Sequence, residues 1–179
     1  MSLSHIILGL LQQQERTGYD LKTECFDDCI AHLWRADQAQ IYRTLDKLEQ
    51  QGEIVCTVEI QHERPNRKVY RITARGSAEF TRWLQTHQPL PVGREPLLMQ
   101  LYFAAQLPNS AIVELLEPEL KARCEKLTRC QAINVLGHRD LDAREQQMHQ
   151  LVLALIKQRE QTYVNWLKDT LDIIRNQLT

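Results

Sequence analysis

The sequence predicts a mainly α-helical fold with one small β-ribbon, divided into two domains. Apolar residues recur at helical spacing through most of the 179 residues, which indicates amphipathic helices. After Gly52 the apolar period changes from helical to two, which is typical of strands. Residues 88–93, QPLPVG, combine two prolines with a glycine. We therefore expect one domain over residues 1–87 and a second over residues 88–179.

The composition indicates a soluble, globular protein, with 43% hydrophobic and 25% charged residues. The net charge of −1 gives no general attraction to a polyanion, so any nucleic-acid site must be a local basic patch. No apolar run approaches the ~20 residues of a membrane span, and the N-terminus lacks a basic leader. We expect a cytoplasmic protein without a membrane partner. Five cysteines without a C-x-x-C pair argue against a disulfide framework or a zinc ribbon.

The first two helices are predicted from apolar spacing and from a start signal between them. After Ser2, apolar residues recur at helical spacing: Leu3, Ile6, Ile7, Leu10 and Leu11. Thr17 and Asp20 make a T-x-x-D signal, in which the hydroxyl accepts a backbone N–H and the carboxylate complements the helix dipole. A second helix over about residues 18–30 would bury Leu21, Cys25, Phe26, Cys29 and Ile30.

A third helix is predicted from Asp37 to Gly52. Asp37 is a suitable N-cap because Gln40 stands at the capping-box position, and Gly52 supplies the stop. Ile41, Leu45 and Leu48 fall at i, i+4 and i+7, so they are expected to form its buried stripe.

A two-stranded ribbon and a fourth helix complete the first domain. Cys56, Val58 and Ile60 lie on one side of the first strand, a turn follows at Pro65 and Asn66, and residues 68–72 return as the second strand. Thr73 is expected to cap the fourth helix, which carries Phe80, Trp83 and Leu84 on one face.

Every segment of the second domain is predicted to be helical. The segments are residues 94–107, residues 109–136 with a break at Pro118, and residues 141–177. A last helix of ~35 residues would be over ~50 Å long, more than a ~90-residue domain can cover. Its apolar face is therefore expected to pack on a second copy of the chain. The predicted dimerisation residues are Leu151, Leu155, Tyr163, Trp166 and Leu171.

The third helix and the ribbon together predict a DNA interface of the winged helix-turn-helix type, because a helix of this kind enters the major groove beside a basic finger. Residues 61–75 carry five basic side chains and one acid. The expected sequence-reading residues are Gln38, Gln40, Tyr42 and Arg43. The expected phosphate-gripping residues are Lys47, Arg64, Arg67 and Lys68, and Asn66 in the ribbon turn is a further expected DNA-binding residue. A solvated basic hairpin and a winged-helix scaffold for protein partners stay as alternatives.

Metal, redox and catalytic roles have weaker support. Cys25, Cys29 and His32 share one helical face, but that face is also the apolar stripe, and buried cysteine behaves as a small hydrophobe. No metal or other cofactor is therefore expected. A redox switch at Cys124 and Cys130 is a further alternative. The sequence holds no nucleophile elbow, zinc-protease, P-loop or dinucleotide motif, so we expect no enzymatic activity.

Four sequence features together resemble the PadR family of bacterial transcriptional regulators. They are G-Y-D at residues 18–20, Trp34 before the third helix, I-Y-R-T-L-D-K-L-E-Q-Q-G from residue 41, and R-K-V-Y-R-I-T-A-R-G from residue 67. The resemblance implies a homodimer that binds pseudo-palindromic promoter DNA through a winged helix-turn-helix and dimerises through a C-terminal helical domain.

The chain length resembles the PadR subgroup with a long C-terminal domain, and the ribbon turn E-R-P-N-R-K-V-Y is most similar to the virulence-activator branch. Repression is nevertheless favoured over activation. The resemblance also implies that a small aromatic effector could bind and that Trp34 could line its pocket. The alternative for Trp34 is a core anchor beneath the third helix.

Overall fold

A computed structural model describes residues 3–60, 66–89, 93–133 and 141–176 of the chain. The chain divides into two compact units, residues 1–91 and residues 92–179, which we call the winged unit and the helical unit. The predicted fold class is confirmed: the described residues are mostly helical, with one small antiparallel sheet. Within these ranges, no helix has the length and apolar character that a bilayer-spanning segment needs.

The winged unit follows the predicted order of elements. They are α1 (Leu3–Gln13), β1 (Arg16–Thr17), α2 (Gly18–Cys29), α3 (Gln38–Gln50), β2 (Ile54–Glu59), β3 (Arg67–Ile72) and α4 (Ala74–Gln85). The predicted start signals of α2 and α4 are confirmed, because the side chains of Thr17 and Thr73 accept the backbone N–H groups of Asp20 and Gly76. Gly52 ends α3 with a φ of 68°, a left-handed conformation that glycine adopts without strain.

The second helix is less regular than its sequence predicts. It begins with α-helical geometry at Gly18–Asp20 and continues as a π-helix over Leu21–Cys29, where the Ile30 N–H donates to the Cys25 carbonyl at 2.9 Å. A π turn is wider than an α turn and shifts later residues around the helix axis. Cys29 and Ile30, predicted to be buried, are consequently only half-buried.

The sheet contains one strand that the sequence analysis missed. The strand order is β1-β3-β2, with both pairs antiparallel. The ribbon of β2 and β3 is confirmed, and β1 adds to its inner edge by pairing Arg16 with Tyr70 and Thr17 with Val69. A strand of two residues is too short for its alternation to be recognised in a sequence.

The core of the winged unit is formed by α1, α2 and α3 over the inner end of the ribbon. Its buried residues are Ile7, Leu8, Leu10, Leu11, Leu21, Cys25, Phe26, Ala36, Ile41, Leu45, Leu48, Ile54 and Tyr70. On α4, Phe80 packs against this cluster and Trp83 stacks on His5 with 5.1 Å between ring centroids. The third predicted member of that face, Leu84, is 62% exposed.

The helical unit consists of α5 (Pro96–Tyr102), a 3₁₀ turn (Ala104–Gln106), α6 (Asn109–Ala132) and α7 (Ala143–Asn176). The predicted break at Pro118 is wrong, because α6 continues through it. A proline costs a helix one internal hydrogen bond, and packing of α6 against α7 on both sides of Pro118 compensates for that loss. The predicted extension of this helix to residue 136 lies outside the described residues.

The antiparallel packing of α6 and α7 forms the core of the helical unit. Its buried residues are Ala104, Ile112, Leu116, Leu167, Leu171 and Ile174. Polar contacts align the two helices: Asn109 donates to the Ile174 carbonyl at 3.1 Å, and the Glu160 carboxylate lies between Arg123 and Lys126. The stretch of α7 from Glu160 to Ile174 is therefore packed against the chain's own α6.

Candidate nucleic-acid and dimer interfaces

The third helix is fixed by a capping box at its start. The Asp37 carboxylate accepts the Gln40 N–H at 2.7 Å, and the Gln40 side-chain oxygen accepts the Asp37 N–H at 3.1 Å. Both predicted halves of the box are confirmed. Because recognition of adenine uses the oxygen and the nitrogen of the amide together, Gln40 can read an adenine edge in this way only by leaving the cap.

The two faces of α3 differ as its sequence predicts. Ile41, Leu45 and Leu48 are fully buried, so the helix is held by its apolar stripe. Other predicted contact residues, Gln38, Arg43 and Lys47, are exposed. The same surface carries two exposed acids, Asp46 and Glu49. These acids limit general attraction to phosphate and leave recognition to the directed contacts of individual side chains.

Tyr42 joins the third helix to the second. It is half-buried and packs against the core of the winged unit. Its ring lies so close to Gly18 that a Cβ on this glycine would be 2.7 Å from the ring carbons. This contact explains why a glycine stands at the start of α2. A DNA contact by Tyr42 stays a prediction.

The ribbon has less free positive charge than its sequence suggests. The Arg67 guanidinium donates to the Asp20 carboxylate at 2.7 Å, and Arg71 lies 3.7 Å from Glu15. Lys68 is exposed between them. Counting charges along the sequence missed these pairs because each acid lies more than 40 residues before its arginine. Predicted Asn66 is exposed, and predicted Arg64 lies outside the described residues.

The Asp20 carboxylate is fixed by two hydrogen bonds. It accepts the Thr17 N–H at 2.9 Å as well as the Arg67 donor. Burial raises the pKa of Asp20, but the hydrogen bonds with Thr17 and the contact with Arg67 outweigh burial and hold the pKa below its ordinary value. Asp20 is therefore ionised at neutral pH, and its negative charge is matched by Arg67.

The inner end of the ribbon is packed rather than reactive. Tyr70 is buried, and burial together with the neighbouring Cys56 thiol and nearby acids raises its pKa to about 12. Burial also raises the pKa of the Cys56 thiol. Both groups are neutral at pH 7, and Tyr70 is part of the core of the winged unit.

Trp34 is half-buried and packs against the same core. This is the position expected of a core anchor, and a role in effector binding stays a prediction. The five cysteines all lie in the described residues, and none of them forms a disulfide. Among the described residues, no three His, Cys, Asp or Glu side chains are grouped so that they could hold a metal ion.

The predicted dimerisation residues fall into two groups. Leu151 and Leu155 are 59% and 58% exposed. In contrast, Tyr163 and Trp166 pack on the core of their own helical unit, and Leu171 is only 2% exposed within it. Leu171 therefore has almost no exposed surface to offer a second copy, because α6 covers this part of α7, and a dimer contact by Leu171 stays a prediction. The sequence shows one continuous apolar stripe and cannot show which part of it α6 covers.

A second exposed apolar group lies on α5 and was missed. Leu98, Met99 and Tyr102 of α5 are exposed at positions i, i+1 and i+4. Phe103, which follows the helix, is also exposed, and its ring contacts that of Tyr102. The run P-L-L-M-Q-L-Y-F from residue 96 carries this spacing. The signal was therefore present in the sequence, in a segment assigned only as helix.

Each of the two units matches a known protein family. Residues 7–82 match the transcriptional regulator PadR-like family, and residues 93–175 match the virulence activator alpha C-terminal family. The negative transcriptional regulator PadR of Bacillus subtilis (strain 168) is 33% identical over 181 residues, which cover 96% of this chain and 97% of that protein.

Solved structures show the same relationship. Bacillus subtilis PadR in complex with operator DNA superimposes with a TM-score of 0.82 and 32% identity, covering 96% of this chain and 98% of that one. The same protein in complex with p-coumaric acid gives a TM-score of 0.79 and 30% identity, covering 97% and 99%. The Vibrio cholerae virulence activator AphA shares the fold, with a TM-score of 0.78 at 23% identity and coverage of 99% and 100%. The chain belongs to the PadR-like family of transcriptional regulators, in the subgroup with a long C-terminal helical domain.

Proposed function

We propose that this chain is a homodimeric repressor that binds pseudo-palindromic promoter DNA in the bacterial cytoplasm. The observation that carries the proposal is α3: its stripe is fully buried, while Gln38, Arg43 and Lys47 are exposed beside the ribbon. A helix held in this way can enter the major groove with its outward side chains free to meet base edges and phosphates. The relative with bound operator DNA supports this use of the fold.

The helical unit supports the homodimer. Helix α7 is ten residues longer than α6, an excess of about 15 Å at the helical rise. Four of its exposed large apolar residues, Met148, Leu151, Val152 and Leu155, lie in its first half, whereas Ile173 is exposed near its end. A contiguous apolar surface on a helix requires a partner, and a second copy supplies one with two-fold symmetry. Two winged units then reach half-sites about one helical turn or a multiple apart.

Repression is proposed over activation because the relative that is 33% identical over 96% of this chain is a negative regulator, whereas the virulence activator AphA is only 23% identical. The proposal predicts that the protein protects DNA upstream of a gene that is expressed more strongly when the protein is removed. Lower expression after removal would instead indicate an activator.

Replacement of Arg43 tests the DNA interface most directly. We expect R43A to weaken binding to the protected DNA by ~1–3 kcal/mol and to relax the preference at one base position. R82A is the matched control, since Arg82 pairs with Glu79 on α4, away from α3. Titration of both variants against the operator and against single-base changes measures the effect. If R43A binds like the wild type, Arg43 does not read a base.

The protein-scaffold alternative makes an opposite prediction for intact protein. A DNA-binding protein that grips phosphates loses affinity steeply as salt rises. Absence of salt-sensitive binding to duplexes from the chain's own upstream region would therefore favour a protein partner over DNA.

An aromatic carboxylic acid is proposed as the effector, because the relative solved with p-coumaric acid matches almost the whole chain. We expect p-coumarate to release the protein from its operator. Trp34→Phe tests the predicted pocket residue: it should weaken the response to p-coumarate and leave DNA binding without p-coumarate intact. An equal response in both proteins would leave Trp34 as a core anchor only.

A further inference from the structure

The outer end of the ribbon is attached to the second helix by one ion pair. Arg67 is the first residue of β3, and its guanidinium donates to Asp20 of α2 at 2.7 Å, across 47 positions of sequence. The side chain of Asp20 is only 17% exposed. We call this pair the ribbon clamp.

The clamp lies where the sheet narrows from three strands to two. Strand β1 pairs only with Val69 and Tyr70 of β3. Beyond that point Lys68 and Arg67 pair with β2 on one side, and no described strand lies on the other. An isolated two-stranded ribbon is only marginally ordered in water. A contact at Arg67 therefore fixes the part of the ribbon that β1 does not reach.

The partner of Arg67 is itself held in place. Asp20 belongs to the capping box of α2 and accepts the Thr17 N–H with the same oxygen that Arg67 contacts. Two residues before Asp20, Gly18 packs against the ring of Tyr42 on α3. The clamp thus joins the ribbon to the start of α2, the same segment that contacts α3 through Gly18 and Tyr42.

A second ion pair makes a similar joint one turn further along α2. The Arg16 guanidinium of β1 donates to Glu24 at 2.7 Å, and the Arg16 side chain is buried. Asp20 and Glu24, four residues apart, thus receive one arginine from each of two neighbouring strands. Ion pairing is a repeated means of attaching the sheet to this helix.

The clamp uses the Nη2 group of the Arg67 guanidinium, and a phosphate that took this donor from Asp20 would break the clamp. The exchange would leave the mostly buried Asp20 carboxylate without its guanidinium, and a buried charge that loses its partner is costly. Lys68, exposed on the adjacent position, can meet a phosphate without that loss.

We infer that Arg67 is a positioning residue of the DNA interface: it binds Asp20 rather than phosphate and thereby sets where the ribbon lies relative to α3. This inference rests on the proposed DNA binding. It reverses the role that the sequence predicts for Arg67, and it assigns to Asp20 a function in DNA recognition.

The sign of one substitution separates the two roles. If Arg67 grips phosphate, D20N frees it and removes a nearby negative charge, so affinity for operator DNA rises. If Arg67 positions the ribbon, D20N lowers affinity, and we expect a loss of about fivefold. D28N is the matched control, because Asp28 is an exposed acid of the same helix and reports the general effect of removing a carboxylate.

The double variant D20N/R67Q tests whether the two residues act as one. Under the inference it binds DNA no more weakly than R67Q alone, because each substitution breaks the same clamp. Independent, additive losses would overturn the inference. An unchanged or increased affinity of D20N relative to D28N would overturn it as well.

Hydrogen exchange of DNA-free protein gives a readout that does not depend on DNA binding. R67Q keeps the Thr17–Asp20 capping box, so it should fold even if D20N does not. We expect faster exchange of the β2 and β3 amides in R67Q, whereas loss of a phosphate contact alone would leave exchange unchanged and overturn the inference. If the wild type binds no DNA, the proposed function fails, while exchange still decides whether the clamp holds the ribbon.

Discussion

The two units of this chain differ in how completely they cover their own apolar surface. In the winged unit, 13 buried residues form one cluster, and the exposed large apolar residues are scattered over several elements, as in Tyr19, Leu33 and Leu84. In the helical unit the main cluster has six buried residues. Most of its exposed large apolar residues are grouped at α5 and on the first half of α7, and Leu107 and Ile173 lie apart from these groups.

This difference indicates a division of roles. Scattered exposed apolar residues are normal on a protein surface, whereas grouped ones mark an interaction site. The winged unit covers its own apolar core, which suits the proposed role of presenting polar side chains to DNA. In the proposed dimer, a second copy covers the exposed apolar residues of the helical unit, and two winged units are thereby brought to one operator.

The largest expected effect comes from breaking the proposed dimer. L151D/L155D places two charges on the exposed first half of α7, and we expect monomers that bind operator DNA at least about 100-fold more weakly, because avidity is lost. Light scattering after gel filtration and a DNA titration measure the two effects. L84D, an equally exposed leucine of the winged unit, is the control and should stay dimeric. If L151D/L155D stays dimeric, the first half of α7 is not the dimer interface.

A substitution at Gly76 tests whether the winged unit is closely packed on its own. A Cβ at this position would lie 2.0 Å from the Glu53 carbonyl oxygen. We expect G76A to lower the free energy of unfolding by about 3 kcal/mol, because backbone must move. G93A, where a Cβ meets nothing within 4 Å, is the matched control. Hydrogen exchange should place the loss in residues 3–89. Equal stability of the two variants would contradict this packing.

Glu160 provides the corresponding test in the helical unit. Its side chain is 8% exposed between Arg123 and Lys126, and E160Q should lower the free energy of unfolding by about 1–3 kcal/mol. E125Q, on the exposed face of α6, should have little effect. Chemical denaturation at pH 7 measures both variants, and equal curves would show that this carboxylate does not stabilise the helix pair.

The same residue gives a pH dependence with a defined sign. Burial raises the pKa of Glu160, but Lys126 and Arg123 outweigh burial and hold the pKa below its ordinary value of 4.5. The stabilisation is therefore fully present above pH 4.5 and is lost as the pH falls through the lower pKa of the folded protein. Because E160Q has no carboxylate at this position, its free energy of unfolding should fall less than that of the wild type as the pH is lowered through this range. An identical acid dependence in the wild type and E160Q would contradict the assignment.

The sequence predicted the local structure better than the contacts between distant elements. The starts of α2 and α3 follow from Thr17 and Asp37, because a capping box depends on residues three apart. The Asp20–Arg67 pair and the burial of Leu171 depend on residues brought together by folding. The charge count along the ribbon could not show that Arg67 is paired with Asp20. The apolar spacing along α7 could not show that Leu171 is buried in the core of its own helical unit.

The mass of the protein–operator complex tests the division between the two units most directly. Native mass spectrometry of the intact protein with its protected DNA should show two copies of the chain on one duplex. L151D/L155D at the same concentration should leave the duplex mostly free. A complex with one copy per duplex, formed equally well by the wild type and the variant, would contradict the account.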